Sequence, residues 1–259
     1  MKHTLLIKDW LYSFLSLWFP RCCVVCGGSL AKGEECICTM CNINLPRTDY
    51  HLRKDNPVEK LFWGKFPLER ATSFFFYRKG SDFRQVLHQL KYGGQKEIGA
   101  IMGRYMASEL QASDFFHGVD VIIPIPLHKK KQQIRGYNQS EWISRGIMAV
   151  TGIPVDTEAI IRRKNTETQT QKSALERWEN VDGIFELHRS EYLAGKHILI
   201  VDDVLTTGAT TVACASRYNR FCIIVLLYHK TYQIARCFQR MKVCFVRGAV
   251  YTEMLLLGK

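Results

Sequence analysis

The chain has 259 residues, of which 47% are hydrophobic and 23% are charged, and its formal net charge is +12. These values exclude a chain too short or too polar to bury a core, and they are typical of an ordinary soluble globular protein. The excess of positive charge favours a partner rich in phosphate, either a nucleic acid or a phosphorylated small molecule. Charge alone does not choose between these, and a merely solvated basic surface stays open.

The first apolar stretch of the chain, residues 4–19, resembles a signal peptide. Lys8 and Asp9 interrupt it, no small-residue cleavage site follows, and it is too short to span a bilayer. We therefore expect a cytoplasmic protein that is not an integral membrane protein, with an amphipathic helix at this point. The residues expected near its apolar face are Leu6, Trp10, Leu11, Phe14 and Trp18.

Six of the ten cysteines lie within residues 22–41. Cys23 and Cys26 form one C-x-x-C pair, and Cys38 and Cys41 form a second, with eleven residues between the pairs. Two such knuckles can complete a tetrahedral Zn²⁺ site, and four thiolates with no open position make the ion structural. A redox pair and incidental thiols remain alternatives. Two further cysteines could replace a neighbouring ligand, Cys22 and Cys36.

From about residue 70 strands and helices alternate, which predicts an α/β fold with a mostly parallel sheet and helices on both faces. The predicted strands are 72–77, 119–126, 197–201 and, less regularly, 222–228. The predicted helices are 81–91, opened by a Ser81 cap, 97–110, 140–150 and 209–217.

The stretch ILIVDDVLTTGATT, residues 198–211, carries the strongest functional signal. In an open parallel sheet ligands bind at the carboxyl ends of strands, so Asp202 and Asp203 are expected in a ligand crevice. The loop 205–210 then enters a helix, and its N–H groups and threonine hydroxyls can hold an anion. Gly208 allows a positive φ or a close approach. A phosphate beside paired carboxylates indicates a ribose 5-phosphate.

The same stretch fits a nucleotide-binding P-loop or a receiver domain less well. A P-loop needs Gly-Lys-Ser/Thr, whereas Ala209 follows Gly208 here. A receiver domain also places acids at strand ends, but it leaves the TTGAT segment without a role. The acids could also simply cap the next helix.

The residues 201–210, VDDVLTTGAT, resemble the phosphoribosyl-pyrophosphate (PRPP) signature of type I phosphoribosyltransferases. Together with the cysteine ribbon, three further segments resemble the ComF family of competence-associated proteins: 87–94, 121–139 and 160–177. The resemblance covers about residues 10–215. It implies a type I phosphoribosyltransferase fold in 61–259 behind a helix and zinc ribbon in 1–60.

The resemblance also implies roles for individual residues. Asp202 and Asp203 would be the catalytic acids that hold the ribose diol. The residues around the 5-phosphate would be Thr206, Thr207, Gly208, Ala209 and Thr210. The pyrophosphate side would be formed by 127–138, with Mg²⁺ to stabilise the developing charge. The positive and backbone groups expected there are Arg135, Gly136, Lys129–Lys131 and Lys91.

Residues 162–177 resemble the hood that closes over PRPP in these enzymes, although an ordinary exposed loop is the alternative. After Cys214 the chain departs from the family pattern, and 229–259 form a basic, divergent tail.

Three functions are compatible with these features. The first is a phosphoribosyltransferase that uses Mg²⁺ and PRPP, and the second is a PRPP sensor without catalysis. The third is an accessory protein for single-stranded DNA in competence and DNA uptake, in contact with the competence machinery. The aromatic residues proposed to stack on DNA bases are Trp10, Trp18 and Trp63, with ordinary core positions as the alternative.

Overall fold

The computed structural model describes residues 20–77, 81–163, 183–188, 190–218 and 222–230. The helix expected within 4–19, most of the expected hood and nearly all of the tail from 229 onward lie outside these residues. Trp10 and Trp18 therefore also lie outside them.

Short helices precede the sheet, and longer ones flank it. The helices are α1 Thr39–Ile43, α2 Pro57–Lys60, α3 Arg84–Tyr92, α4 Glu97–Gln111, α5 Lys129–Arg135, α6 Gln139–Thr151, α7 Ser190–Leu193 and α8 Ala209–Ala215, with a 3₁₀ turn at Tyr50–Leu52. The strands are β1 Leu68–Tyr77, β2 Val121–Pro124, β3 Ile160–Arg162, β4 Phe185–Leu187, β5 Ile198–Leu205 and β6 Cys222–Lys230.

The main sheet is parallel and has the strand order β1-β6-β5-β2. Val121 of β2 pairs with Ile198 of β5, and Ile198 pairs in turn with Cys222 of β6. β3 and β4 form a separate antiparallel pair. The expected α/β fold with a parallel sheet is confirmed, and β6 lies inside the sheet between β1 and β5.

Alternate residues of the central strands enter two different cores. Leu199 and Val201 of β5 are buried with α4 and α6 on one face, whereas Ile198 and Ile200 are buried on the other face with residues of α2, α7 and α8. This alternation follows from the two-residue period of a strand. A sheet covered on both sides exposes its carboxyl edge for a ligand.

The two longest helices, α4 and α6, pack very closely. A Cβ on Gly103 would lie 2.2 Å from the carbonyl oxygen of Ile143, and a Cβ on Gly146 would lie 2.1 Å from that of Ala100. Glycine at both positions allows the helix backbones to touch. This contact fixes the start of α6 against the sheet, next to the end of β5.

The cysteine-rich segment packs directly on the α/β core. Cys23, Ile37 and Leu45 belong to the same buried cluster as Phe74 of β1 and Leu110 of α4. The segment that follows the cysteines runs along the free edge of β1, where the N–H of Thr48 donates to the Phe74 carbonyl at 3.1 Å. The division at residue 60 stays a prediction, but the two parts share a core.

Several predicted boundaries differ from the structure. The strand expected over 72–77 already begins at Leu68, and the helix expected over 209–217 ends at Ala215. The helix expected from Ser81 begins at Arg84, because the Ser81 hydroxyl accepts the N–H of Phe83 at 3.3 Å and closes a turn before it. The strand expected over 119–126 is limited to Val121–Pro124. The strand expected to end at residue 201 continues to Leu205, so both acids lie within β5.

Within the described ranges, no helix is long and apolar enough to cross a membrane.

Candidate functional site

Asp202 lies in the second half of β5 and is held by two hydrogen bonds. Its Oδ1 accepts the hydroxyl of Ser140 at 3.2 Å and the backbone N–H of Asp203 at 2.8 Å. Ser140 is available there because the Asn138 side chain caps α6 by accepting its N–H at 3.2 Å. Burial, and then the charge of Asp203, raise the pKa of Asp202 to about 7. This carboxyl therefore titrates near neutral pH.

Asp203 is paired with a lysine from a different element. Its Oδ2 lies 2.7 Å from Nζ of Lys91 on α3, and the two side chains are only 15% and 19% exposed. Two adjacent carboxylates repel each other, and a partly buried cation reduces that repulsion. Lys91, which was expected on the pyrophosphate side, thus neutralises Asp203 in this structure.

Several positive side chains face one another around the acids. Burial lowers the pKa of Lys131, and the charges of Arg162, Arg135 and Lys91 lower it further. Burial also lowers the pKa of Arg162, against which the Asp202 carboxylate raises it. Like charges repel one another, and a bound anion among them would reduce that repulsion. We call these residues, Lys91, Lys131, Arg135 and Arg162, the cation cluster.

The lysines of the segment after β2 differ in their exposure. Of the three lysines expected there, Lys129 and Lys130 are exposed and Lys131 is turned inward. α5 ends at Arg135, and Gly136 follows with φ of 79°, which lets the chain turn into α6. The Arg135 guanidinium donates to Oε1 of Gln139 at 2.9 Å.

The acidic strand leads through a short loop, 206–208, into α8. Gly208 has φ of 76°, and a Cβ there would lie 2.9 Å from Cε1 of Phe62. Both features require glycine, so the expected positive φ is confirmed and the close approach is to a phenylalanine ring. The hydroxyl of Thr207 accepts the N–H of Ala209 at 3.4 Å. Thr206 and Thr210, on either side of this turn, are half-buried.

Phe62 reaches this loop because α2 is fixed by one asparagine. The side-chain oxygen of Asn56 accepts the N–H groups of Val58 and Glu59 at 2.9 and 3.1 Å. Its amide nitrogen donates to the Ala71 carbonyl of β1 at 2.8 Å. The buried N-cap Asn56 thus holds α2 against the sheet, and α2 in turn holds Phe62 against the 206–208 loop.

The four expected zinc ligands come together. The sulfur atoms of Cys23, Cys26, Cys38 and Cys41 all lie within 4.8 Å of one another. The distance between Sγ of Cys26 and Sγ of Cys38 is 3.8 Å. Tetrahedral Zn²⁺ with bonds of about 2.3 Å separates its sulfur ligands by about 3.8 Å, so the group fits this ion.

Backbone groups support a thiolate at Cys23, whereas the pKa values of Cys26 and Cys41 are raised by neighbouring thiols and, at Cys41, first by burial. The N–H of Cys38 lies 3.3 Å from Sγ of Cys23, and that of Cys41 lies 3.5 Å from Sγ of Cys38. Burial raises the pKa of Cys23, but hydrogen bonds from neighbouring groups outweigh it and lower that pKa to about 7. The two spare cysteines lie outside the group: Cys22 is exposed, and burial raises the pKa of Cys36 to about 12.

The chain is similar in sequence to a known domain family and to several known proteins. Residues 140–217 match the model of the phosphoribosyl transferase domain family. The DNA utilization protein YhgH of Salmonella typhi is 33% identical over 214 residues, which cover 77% of this chain and 91% of that protein. Competence protein ComFC of Bacillus subtilis is 26% identical over 203 residues, 78% of this chain and 79% of that protein. The chain belongs to the ComF family. Competence protein F of Haemophilus influenzae, another relative, is 30% identical over 129 residues, 48% of this chain and 56% of that protein.

Membership of the ComF family confirms the resemblance seen in the motifs and the phosphoribosyltransferase-type fold. Three residues near the acids were not singled out from the sequence: Ser140, Gln139 and Arg162. Gln139 and Ser140 could have been found, since they open α6, which follows β2 and α5. Arg162 was noted only as part of the expected hood. The structure places it in β3, where its charge acts on Asp202.

Proposed function

We propose that the cleft at the end of β5 binds PRPP or a related 5-phosphoribosyl ligand together with Mg²⁺. The observation that carries this proposal is that Asp202 and Asp203, in the strand that leads into the 206–210 loop, interact with members of the cation cluster, Lys91 and Arg162. Such a ligand has hydroxyls for the acids and phosphates for the cations.

In the proposed complex the 5-phosphate lies against the 206–210 loop and the ribose diol donates to Asp202 and Asp203. An ionised carboxylate accepts hydrogen bonds about twice as strong as those of a neutral acceptor. The pair between Lys91 and Asp203 must open for this, and Lys91 then turns toward the pyrophosphate. Ligand binding thus exchanges one partner of Lys91 for another without leaving a buried charge alone.

The carboxylates and the ligand's phosphates form an oxygen-rich donor set that fits Mg²⁺. When bound, Mg²⁺ neutralises charge on the pyrophosphate. The cation cluster stabilises the same group as the bond between C1 and the pyrophosphate oxygen breaks and its electron pair leaves with pyrophosphate. An acceptor nucleophile forms the new bond at C1. Release of pyrophosphate only when an acceptor is added would distinguish a transferase from a sensor.

Thermal unfolding tests the proposal. A ligand at a hundredfold its Kd adds about 2.7 kcal/mol of apparent stability, which for a chain of this size raises Tm by about 5–10 °C. We expect this shift with Mg²⁺-PRPP and a smaller one with Mg²⁺-pyrophosphate, which lacks the ribose. Asp202→Asn with Asp203→Asn should remove most of the PRPP shift. An equal shift in the double variant would refute the assignment.

A second function, the binding of single-stranded DNA, has separate support. Two of the relatives are named for DNA utilization and competence, and the net charge is +12. Trp63 is 57% exposed, with the Lys60 ammonium 5.7 Å from its ring centroid. Anisotropy of a labelled oligonucleotide should show binding that weakens steeply with salt. No binding at micromolar protein and low salt would exclude this function.

A further inference from the structure

An exposed aromatic ring lies at the rim of the candidate site. α3 ends at Tyr92, directly after Lys91, and the Tyr92 side chain is 70% exposed. The Arg135 guanidinium carbon lies 5.7 Å from its ring centroid, and the His88 ring lies 5.3 Å away at 49°. Two members of the cation cluster are therefore next to this ring, one in sequence and one in space.

These surroundings suit one class of ligand. An aromatic side chain offers a planar face on which any nucleobase stacks, and adjacent arginine and lysine side chains bind the phosphate attached to it. Arg135 is itself held in place, since it donates to the buried Gln139 side chain at 2.9 Å. The ring and the cations are thus arranged together at the rim of the candidate site.

From this arrangement, we infer that Tyr92 is a base-stacking residue, so that the site takes a nucleotide whose phosphate binds the cation cluster in place of pyrophosphate and whose base stacks on the Tyr92 ring. The inference rests on the proposed function, because it uses the same cations. It adds a contact to the base, which neither the acids nor the 206–210 loop supplies. The nucleotide is either free in solution or one unit of a single strand.

Calorimetric titration separates the base contact from the phosphoribosyl contact. The probes are ribose 5-phosphate, which has no base, and adenosine 5′-monophosphate, which adds one. In the unaltered chain we expect the nucleotide to bind about tenfold more tightly than ribose 5-phosphate. In Tyr92→Ala the nucleotide should bind no more tightly than ribose 5-phosphate, and the affinity for ribose 5-phosphate should be unchanged. Tyr92→Phe, which keeps the ring, should preserve the ratio.

The chain offers a matched control at another exposed tyrosine. Tyr192 is 49% exposed and has the Lys196 ammonium 3.2 Å from its ring centroid, but it lies near the amino-terminal end of β2, beside Val121. Tyr192→Ala should leave the ratio as it is. A second pair of probes, a short thymidine oligonucleotide and the same strand with abasic sites, tests whether the nucleotide belongs to a strand.

Each outcome decides the inference. A gain from the base that depends on Tyr92, with either pair of probes, supports it, and the pair that shows the gain identifies the source of the nucleotide. If neither pair shows such a gain, the inference is wrong, even where ribose 5-phosphate and PRPP bind. If the strand shows the gain and PRPP does not bind at all, the proposed function fails and the stacking role of Tyr92 stands.

Discussion

Asp202 is the residue whose chemistry is set most strongly by its surroundings. It is half-buried beside a second acid and accepts hydrogen bonds from a serine hydroxyl and a backbone N–H, while Lys91 and Arg162 act on it through their charge. Its pKa rises from 3.8 to about 7. A carboxyl that is costly to ionise in the free protein becomes a strong acceptor once a diol and a metal ion arrive. Asp202 thus lowers the stability of the free protein while it supplies an acceptor for the proposed ligand.

The raised pKa predicts a pH dependence of stability. Between pH 4 and pH 7 the folded chain binds a proton at Asp202 that the unfolded chain has lost, so the free energy of unfolding falls as pH rises through this range. Asp202→Asn removes this contribution. We therefore expect the stability of the variant relative to the unaltered chain to rise from about pH 4 to about pH 7 in urea denaturation. A difference that stays constant with pH would show that Asp202 is ionised throughout.

Gly208 gives a second prediction for a single residue. Gly208→Ala adds a left-handed strain of about 1–2 kcal/mol and a contact with Phe62 at 2.9 Å. Gly152 has φ of 73°, and a Cβ added to it would have nothing within 4 Å, so it is the matched control for strain alone. Urea denaturation should show a larger loss of stability for Gly208→Ala than for Gly152→Ala. Equal losses would mean that Phe62 moves away freely.

At the scale of elements, the alternation of strands and helices was predictable because each has its own hydrophobic period. The predicted element boundaries that were wrong depend on local hydrogen bonds, such as the one that closes the turn at Ser81. The position of Asp202 and Asp203 toward the carboxyl end of β5 was also predictable, since both acids directly follow the apolar run of that strand. Arg162 was not, because it reaches the acids from a separate antiparallel pair that no sequence spacing relates to β5.

The cysteine ribbon is the element whose stability should depend on a metal ion. Cys38→Ser should release the bound zinc and loosen the ribbon, since structural zinc contributes directly to folding. Cys22→Ser, at a neighbouring cysteine outside the four-thiol group, should retain it. Elemental analysis of the purified variants checks both. A chain that contains no zinc, with all its N-terminal thiols free to react, would contradict the assignment.

At the scale of the whole molecule, the ribbon and the sheet act as one body. Glu109 of α4 pairs with Arg47 at 2.7 Å, and Arg104 of the same helix pairs with Glu35. α4 in turn packs against α6, whose first turn carries Ser140 to Asp202. A continuous set of contacts therefore leads from the cysteine ribbon to the acids. Loss of zinc should weaken ligand binding through this set as well as through unfolding.

The central claim is that the end of β5 is a phosphoribosyl site, and a crystal structure with Mg²⁺ and PRPP tests it most directly. We expect the 5-phosphate against Thr206–Thr210, the ribose hydroxyls on Asp202 and Asp203, and Lys91 turned from Asp203 to the pyrophosphate. A ligand bound elsewhere on the chain, with the Lys91–Asp203 pair intact and the cleft empty of phosphate, would contradict the claim.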